Sequence, residues 1–80
     1  MTDISRTSTE LEGTVQLDYD ASNNPIYVGE AGIGVLTSEA KWRIRKLTYD
    51  VNNNVTSIKW AGGTTRYDKV YDLRATYTYS

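Results

Sequence analysis

The chain has 80 residues, no cysteine, no histidine, and a net charge of −1 from nine basic and ten acidic residues. A domain this short buries only about 60% of the surface its unfolded chain exposes. With no disulfide or histidine-held metal to add stability, oligomerisation is the remaining device. The charges are mixed along the chain, which excludes a basic stripe for nucleic acid and a polybasic membrane patch, and no stretch approaches the roughly 20 apolar residues of a membrane-spanning helix.

Residues 1–13 read as an extended N-terminal arm and residues 14–80 as a single β domain. The arm is rich in Ser and Thr, with Ile4 and Leu11 as its apolar anchors after Met1. It lacks the apolar core of a secretory signal peptide, so none is expected. Too polar to fold back as a stable element, such a segment can add a strand to a neighbour's exposed sheet edge through main-chain hydrogen bonds. It would then cover an edge that otherwise invites uncontrolled association.

From Val15 to Asp20 the residues alternate, with Val15, Leu17 and Tyr19 on one face and Gln16, Asp18 and Asp20 on the other. That predicts a strand. A polar turn at Ala21 to Pro25 and the run Ile26-Tyr27-Val28 complete a hairpin. Leu17 to Asn24, LDYDASNN, matches Leu47 to Asn54, LTYDVNNN, thirty residues later. Either one turn recipe is used twice, or the hairpin is an internal repeat; two copies do not make a solenoid. Gly29 to Ser38 carries three glycines in six residues. No GK[ST] or long helix follows, so a phosphate cradle is not supported. The expectation is an irregular crossing with Ile33, Val35 and Leu36 tucked inward.

Ala40 to Ala61 holds both tryptophans and the longest strand-like stretches. Asp50 to Asn54 fits a type I turn closed by a left-handed residue: the Asp50 carboxylate can accept from the backbone two residues on, and Asn53 tolerates positive φ. This loop sets Asp50 opposite Asn54 and predicts Tyr49 facing Val55, Leu47 facing Ser57 and Ile44 facing Trp60. Trp42, Ile44, Ile58 and Trp60 are even-numbered, whereas Leu47, Tyr49 and Val55 are odd. Side chains alternate faces along a strand, so the base of the hairpin is expected to bury one face and its tip the other, either within one twisted domain or against a neighbouring subunit.

Gly62-Gly63 ends that hairpin. Tyr67, Val70 and Tyr71 at helical spacing predict one helical turn near Thr65 to Tyr71. Leu73, Ala75, Tyr77 and Tyr79 alternate with polar residues and predict a final strand. The fold class that follows is all-β: a small antiparallel sheet or sandwich of two hairpins plus a C-terminal strand, with one short helical turn.

The chemistry is sparse. Asp18 and Asp20 point the same way, but calcium needs six or more oxygens and acid–base work needs shifted pKa values in a cleft. Asp20 and Asp50 are better read as turn residues. Asp68, Asp72, Lys69 and Arg74 read as surface charge around a turn. Ser and Thr have no His to activate them. The aromatics could form a sugar or base platform, but small sheets also use Tyr and Trp to fill cores and interfaces. No catalytic, cofactor-binding or metal site is expected, and no small-molecule substrate.

The pieces Trp42, Ile44, Lys46, Tyr49-Asp50, then Asn52-Asn53-Asn54, Trp60-Ala61-Gly62-Gly63, and Tyr67-Asp68, Val70, Tyr71-Asp72, Arg74 and Tyr79 stand in order. With the upstream IYVGEAGIG they resemble a group of small proteins encoded by tailed bacteriophages and prophages, over roughly residues 15 to 80. The two Tyr-Asp-x-x-Asn pieces also resemble YD-repeat toxin shells, but such shells need many repeats in long chains. The phage resemblance implies a non-enzymatic structural component of the virion, a capsid decoration or a neck or tail accessory protein, assembled in the bacterial host cytoplasm. Its partners would be copies of itself and other virion proteins, met through Ile4, Leu11, Trp42, Trp60, Tyr77 and Tyr79. The alternative is a receptor- or glycan-binding module of a fibre or spike, for which Trp42, Trp60, Tyr77 and Tyr79 would form an exposed row.

Overall fold

The computed structural model describes residues 13–80. The expected arm, with Ile4 and Leu11, lies outside the described residues apart from Gly13. The described chain is an antiparallel sheet: β1 (Thr14–Tyr19), β2 (Pro25–Ala31), β3 (Ala40–Tyr49) and β4 (Val55–Trp60) in that order, with the short β5 (Lys69–Val70) pairing the base of β3. A 3-10 helix, Tyr71–Thr76, follows β5 directly. This is the all-β fold of two hairpins expected from the sequence.

Both turns have the expected chemistry. Asn23 and Asn53 adopt φ of 64° and 66°. Asp20 Oδ1 accepts from the N–H of Ser22 and Asn24 at 2.8 and 2.9 Å, and Asp50 Oδ1 accepts from Asn52 and Asn54 at the same distances. The Asn54 N–H, foremost, holds the Asp50 carboxyl below its usual pKa. Both turns sit at the same end of the sheet, where Asn24 Nδ2 donates to Asn53 Oδ1 at 2.9 Å.

The likeness of the two hairpins goes beyond the turn. Leu17 opposes Val28 and Asp18 opposes Tyr27; then Ile26 is skipped and Tyr19 opposes Pro25. Thirty residues on, Leu47 opposes Ile58 and Thr48 opposes Ser57; then Thr56 is skipped and Tyr49 opposes Val55. The same one-residue bulge stands at the same place. It corrects the expected register: Tyr49 does face Val55, but Leu47 faces Ile58 rather than Ser57. Trp60 faces Arg45, while Ile44 instead accepts from the Ala61 N–H at 2.8 Å. An extra residue moves every later side chain to the other face, so Trp60 and Ile58 lie on the face opposite Trp42 and Ile44.

Residues paired across strands share a face, which sorts the sheet into two. The inner face carries Tyr27, Gly29, Ala31, Trp42, Ile44 and Ala61 and is covered by the chain's own C-terminal segment. Trp42 and Ile44 have no exposed surface. The Tyr71 ring packs on Trp42 (centroids 5.4 Å apart) and Tyr79 on Tyr27 (5.8 Å). Arg74 stacks on Tyr71 at 4.6 Å and reaches Asp18 of β1 at 3.0 Å, pinning the segment across the sheet. The Tyr79 hydroxyl donates to the Arg74 carbonyl at 2.7 Å. Burial pushes the pKa of Tyr71 and Tyr79 upward.

Two further expectations are corrected. In the crossing, Val35 is half-buried against the core, but Ile33 and Leu36 are 77% and 65% exposed. Leu36 contributes its backbone instead: its carbonyl accepts from Trp42 Nε1–H at 2.9 Å. At the C-terminus the helical turn comes later than expected, because Lys69 and Val70 are drawn into pairing with β3. The Val70 N–H also donates to the Tyr77 hydroxyl at 2.8 Å. The expected strand from Leu73 is thereby shortened to a ladder of Thr78 and Ser80 against Trp60 and Gly62, with Tyr79 bridging Ala61. Tyr77 and Tyr79 still turn toward the core, as their alternation implies.

Candidate interaction face

The second face of the sheet has no cover from the described residues. By register it carries Val15, Leu17, Val28, Glu30, Arg43, Arg45, Leu47, Tyr49, Ile58 and Trp60. Val28, at its centre, is buried by its neighbours on the face. Around it Val15, Leu17 and Ile58 are 49%, 43% and 54% exposed. Each is a β-branched or long aliphatic side chain, the kind a pleated surface packs well. The solvent-facing side of an antiparallel sheet is ordinarily polar, so the aliphatic patch makes this face the candidate interaction surface.

Toward the base, the same face becomes charged and aromatic. Glu30 bridges Arg43 (2.7 Å) and Arg45 (3.3 Å). The two guanidinium groups lie 5.4 and 5.3 Å from the Trp60 ring centre, and Arg43 lies 4.8 Å from that of Tyr67. Each such contact contributes on the order of 0.5–1 kcal/mol where partly exposed. Together they restrain the indole: a preformed ridge of Trp60 against two arginines beside an aliphatic patch. Aromatic and arginine side chains are those enriched at protein–protein interfaces.

The residues expected to meet partners are divided by this geometry. Trp42 is enclosed in the protein's own core and has no surface left for a partner. Tyr77 and Tyr79 flank that core with their hydroxyls already bonded within the chain. Trp60 alone of the four lies on the open face, so they make no exposed row. The aliphatic residues Val15, Leu17 and Ile58 and the pair Arg43 and Arg45 were missed as a set. Thr56 stands thirty residues after Ile26, so the two bulges share one position in the repeat, but neither residue type marks a bulge in the sequence.

Among the described residues, no group of His, Cys, Asp or Glu could hold a metal ion. No helix of the described residues is long and apolar enough to cross a membrane. Comparisons with family profiles, with curated proteins and with solved structures return no match for this chain.

Proposed function

We propose that this chain is a non-enzymatic structural component of a tailed bacteriophage particle, a capsid decoration or a neck or tail accessory protein, packed in several copies. The observation that carries the reading is the two-faced sheet. Its inner face is closed by its own C-terminal segment, while its open face presents an aliphatic patch and a ridge of Trp60 with two arginines. Its action is burial of that face against other virion proteins or further copies, at roughly 25 cal/mol per Å² of apolar surface removed from water. The phage-like pattern from Trp42 to Tyr79 supplies the setting: a virion assembled in the bacterial host cytoplasm.

Quantitative mass spectrometry of purified particles of the encoding phage or induced prophage tests this. The protein should be present in multiple copies per particle. If it is abundant in the infected lysate but absent from purified particles, the proposal fails. A receptor- or glycan-binding module is the second reading. Enclosure of Trp42 and the packing of the half-buried Tyr77 and Tyr79 against the core weigh against it, since these three of its four platform residues make no exposed row with Trp60.

A further inference from the structure

The sheet ends in two edges. Among the described residues no strand pairs the outer side of β1, and none pairs β4 from Val55 to Lys59. Along an antiparallel strand, alternate residues turn their N–H and C=O to opposite edges. The N–H of Ala61 bonds inward to Ile44, and that of Trp60 bonds outward to Ser80. Ile58, two residues before Trp60, therefore points its N–H and C=O outward with no partner strand.

These edges are not independent surfaces. The hairpin β3–β4 repeats β1–β2 at a spacing of thirty, with the same turn and the same bulge. The free edge of β4 is consequently the counterpart of the β2 edge, and the free edge of β1 is the counterpart of the β3 edge. Those two counterparts already meet in the middle of the molecule: Tyr27 opposes Lys46, Val28 opposes Arg45 and Gly29 opposes Ile44. We propose that copies of this chain add edge to edge, the β4 edge of one receiving the β1 edge of the next in the register of the internal seam. Ser57 then faces Gln16, Ile58 faces Val15 and Lys59 faces Thr14.

Two side-chain contacts at the turn end of the internal seam recur on the free edges, whereas the Glu30–Arg43 and Glu30–Arg45 pairs have Trp60, Gly13 and Val15 as counterparts and stay particular to the seam. At the seam Asn24 donates to Asn53 (2.9 Å) and the Tyr49 hydroxyl donates to the Pro25 carbonyl (2.7 Å). The counterparts are Asn54 with Asn23 and the Tyr19 hydroxyl with the Val55 carbonyl, all exposed. Ile58 beside Val15 would join the aliphatic patches of successive copies into one band across the open face. The ladder has a defined end: Ser80 occupies the edge at Trp60, with hydrogen bonds of 3.0 and 3.1 Å. The incoming strand must turn away there, at Gly13. The contact is head to tail, so it builds a ring or an open row rather than a closed pair.

The proposal rests on the packing of several copies put forward above and specifies one surface for it. The absence of cysteine makes it testable by disulfide trapping of the full chain carrying Gln16→Cys and Ser57→Cys. Within one copy these positions lie on opposite edges, three strand spacings or about 14 Å apart across the sheet and offset further along it, too far for a bond. Between copies they would face each other as a non-hydrogen-bonded pair with Cα atoms about 4.5 Å apart. Under mild oxidation the double variant should give a reducible ladder of dimers, trimers and larger species, and each single variant should stop at dimers. The pair Thr14→Cys with Ser57→Cys, displaced by two residues, should cross-link at least tenfold more slowly. A double variant that stays monomeric, or cross-links no faster than the displaced pair, overturns the edge register. Sedimentation of the unsubstituted chain with its particle copy number then separates the two ideas: multimers or multiple copies without this cross-link leave the structural role standing on another surface.

Discussion

At equivalent positions of the two hairpins stand Gly29 and Lys59. Both lie on the inner side of the sheet. A Cβ at Gly29 would lie 2.5 Å from Tyr71 Cδ1 and 3.0 Å from Trp42 Cε3, so glycine is needed for the tyrosine to lie against the strand. Lys59 is exposed, and nothing of the C-terminal segment reaches over it. The backbone plan is shared; the cover is not. One hairpin unit can thus serve as a sealed core wall where Tyr71 and Arg74 cross it and as an open rim where they do not. The difference between the two strands is set by a long-range contact rather than by strand propensity.

The sharpest way to break this comparison is Gly29→Ala beside Lys59→Ala. The first forces Tyr71 off the sheet and should cost on the order of 1–3 kcal/mol, a fall in melting temperature of roughly 4–8 °C per kcal/mol in a chain of this size. The second should stay within about 0.5 kcal/mol of the unsubstituted protein. Equal melting temperatures would mean that Tyr71 does not close the inner face.

A smaller effect tests the sameness of the turns. Asn23→Val and Asn53→Val should each cost on the order of 1–2 kcal/mol, because a β-branched residue is disfavoured at positive φ. Glycine suits that conformation, but Asn53→Gly also removes the acceptor for Asn24. Asn23→Gly should therefore melt at or above the unsubstituted protein, with Asn53→Gly below it by up to about 1 kcal/mol. Thermal melts of the four variants decide; a valine variant as stable as its glycine counterpart would refute the left-handed turn at that site.

The turns were readable from sequence because their chemistry is local: Asp50 and Asn53 announce the conformation they adopt. Tyr49 was correctly set opposite Val55 for the same reason, since both stand next to the turn. Trp60 was not, because one unpaired residue at Thr56 inverts everything after it and leaves no local mark. Tyr67 to Thr76 was misread because its form is decided at a distance, by Val70 pairing with Ala40 and Arg74 reaching Asp18. The open face went unseen for a related reason. It appears only when Leu17, Val28, Leu47 and Ile58 from four strands are set side by side in the bulged register.

On the proposed function, the open face is where this protein would meet other virion proteins. Leu17→Glu with Ile58→Glu tests it most directly, with the isolated chain melted and the particle copy number counted by mass spectrometry. The isolated chain should lose no more than about 1 kcal/mol, since about half of each side chain is already in water, and copies per particle should fall at least tenfold. A variant that melts as expected and enters the particle at the unsubstituted copy number would contradict the account.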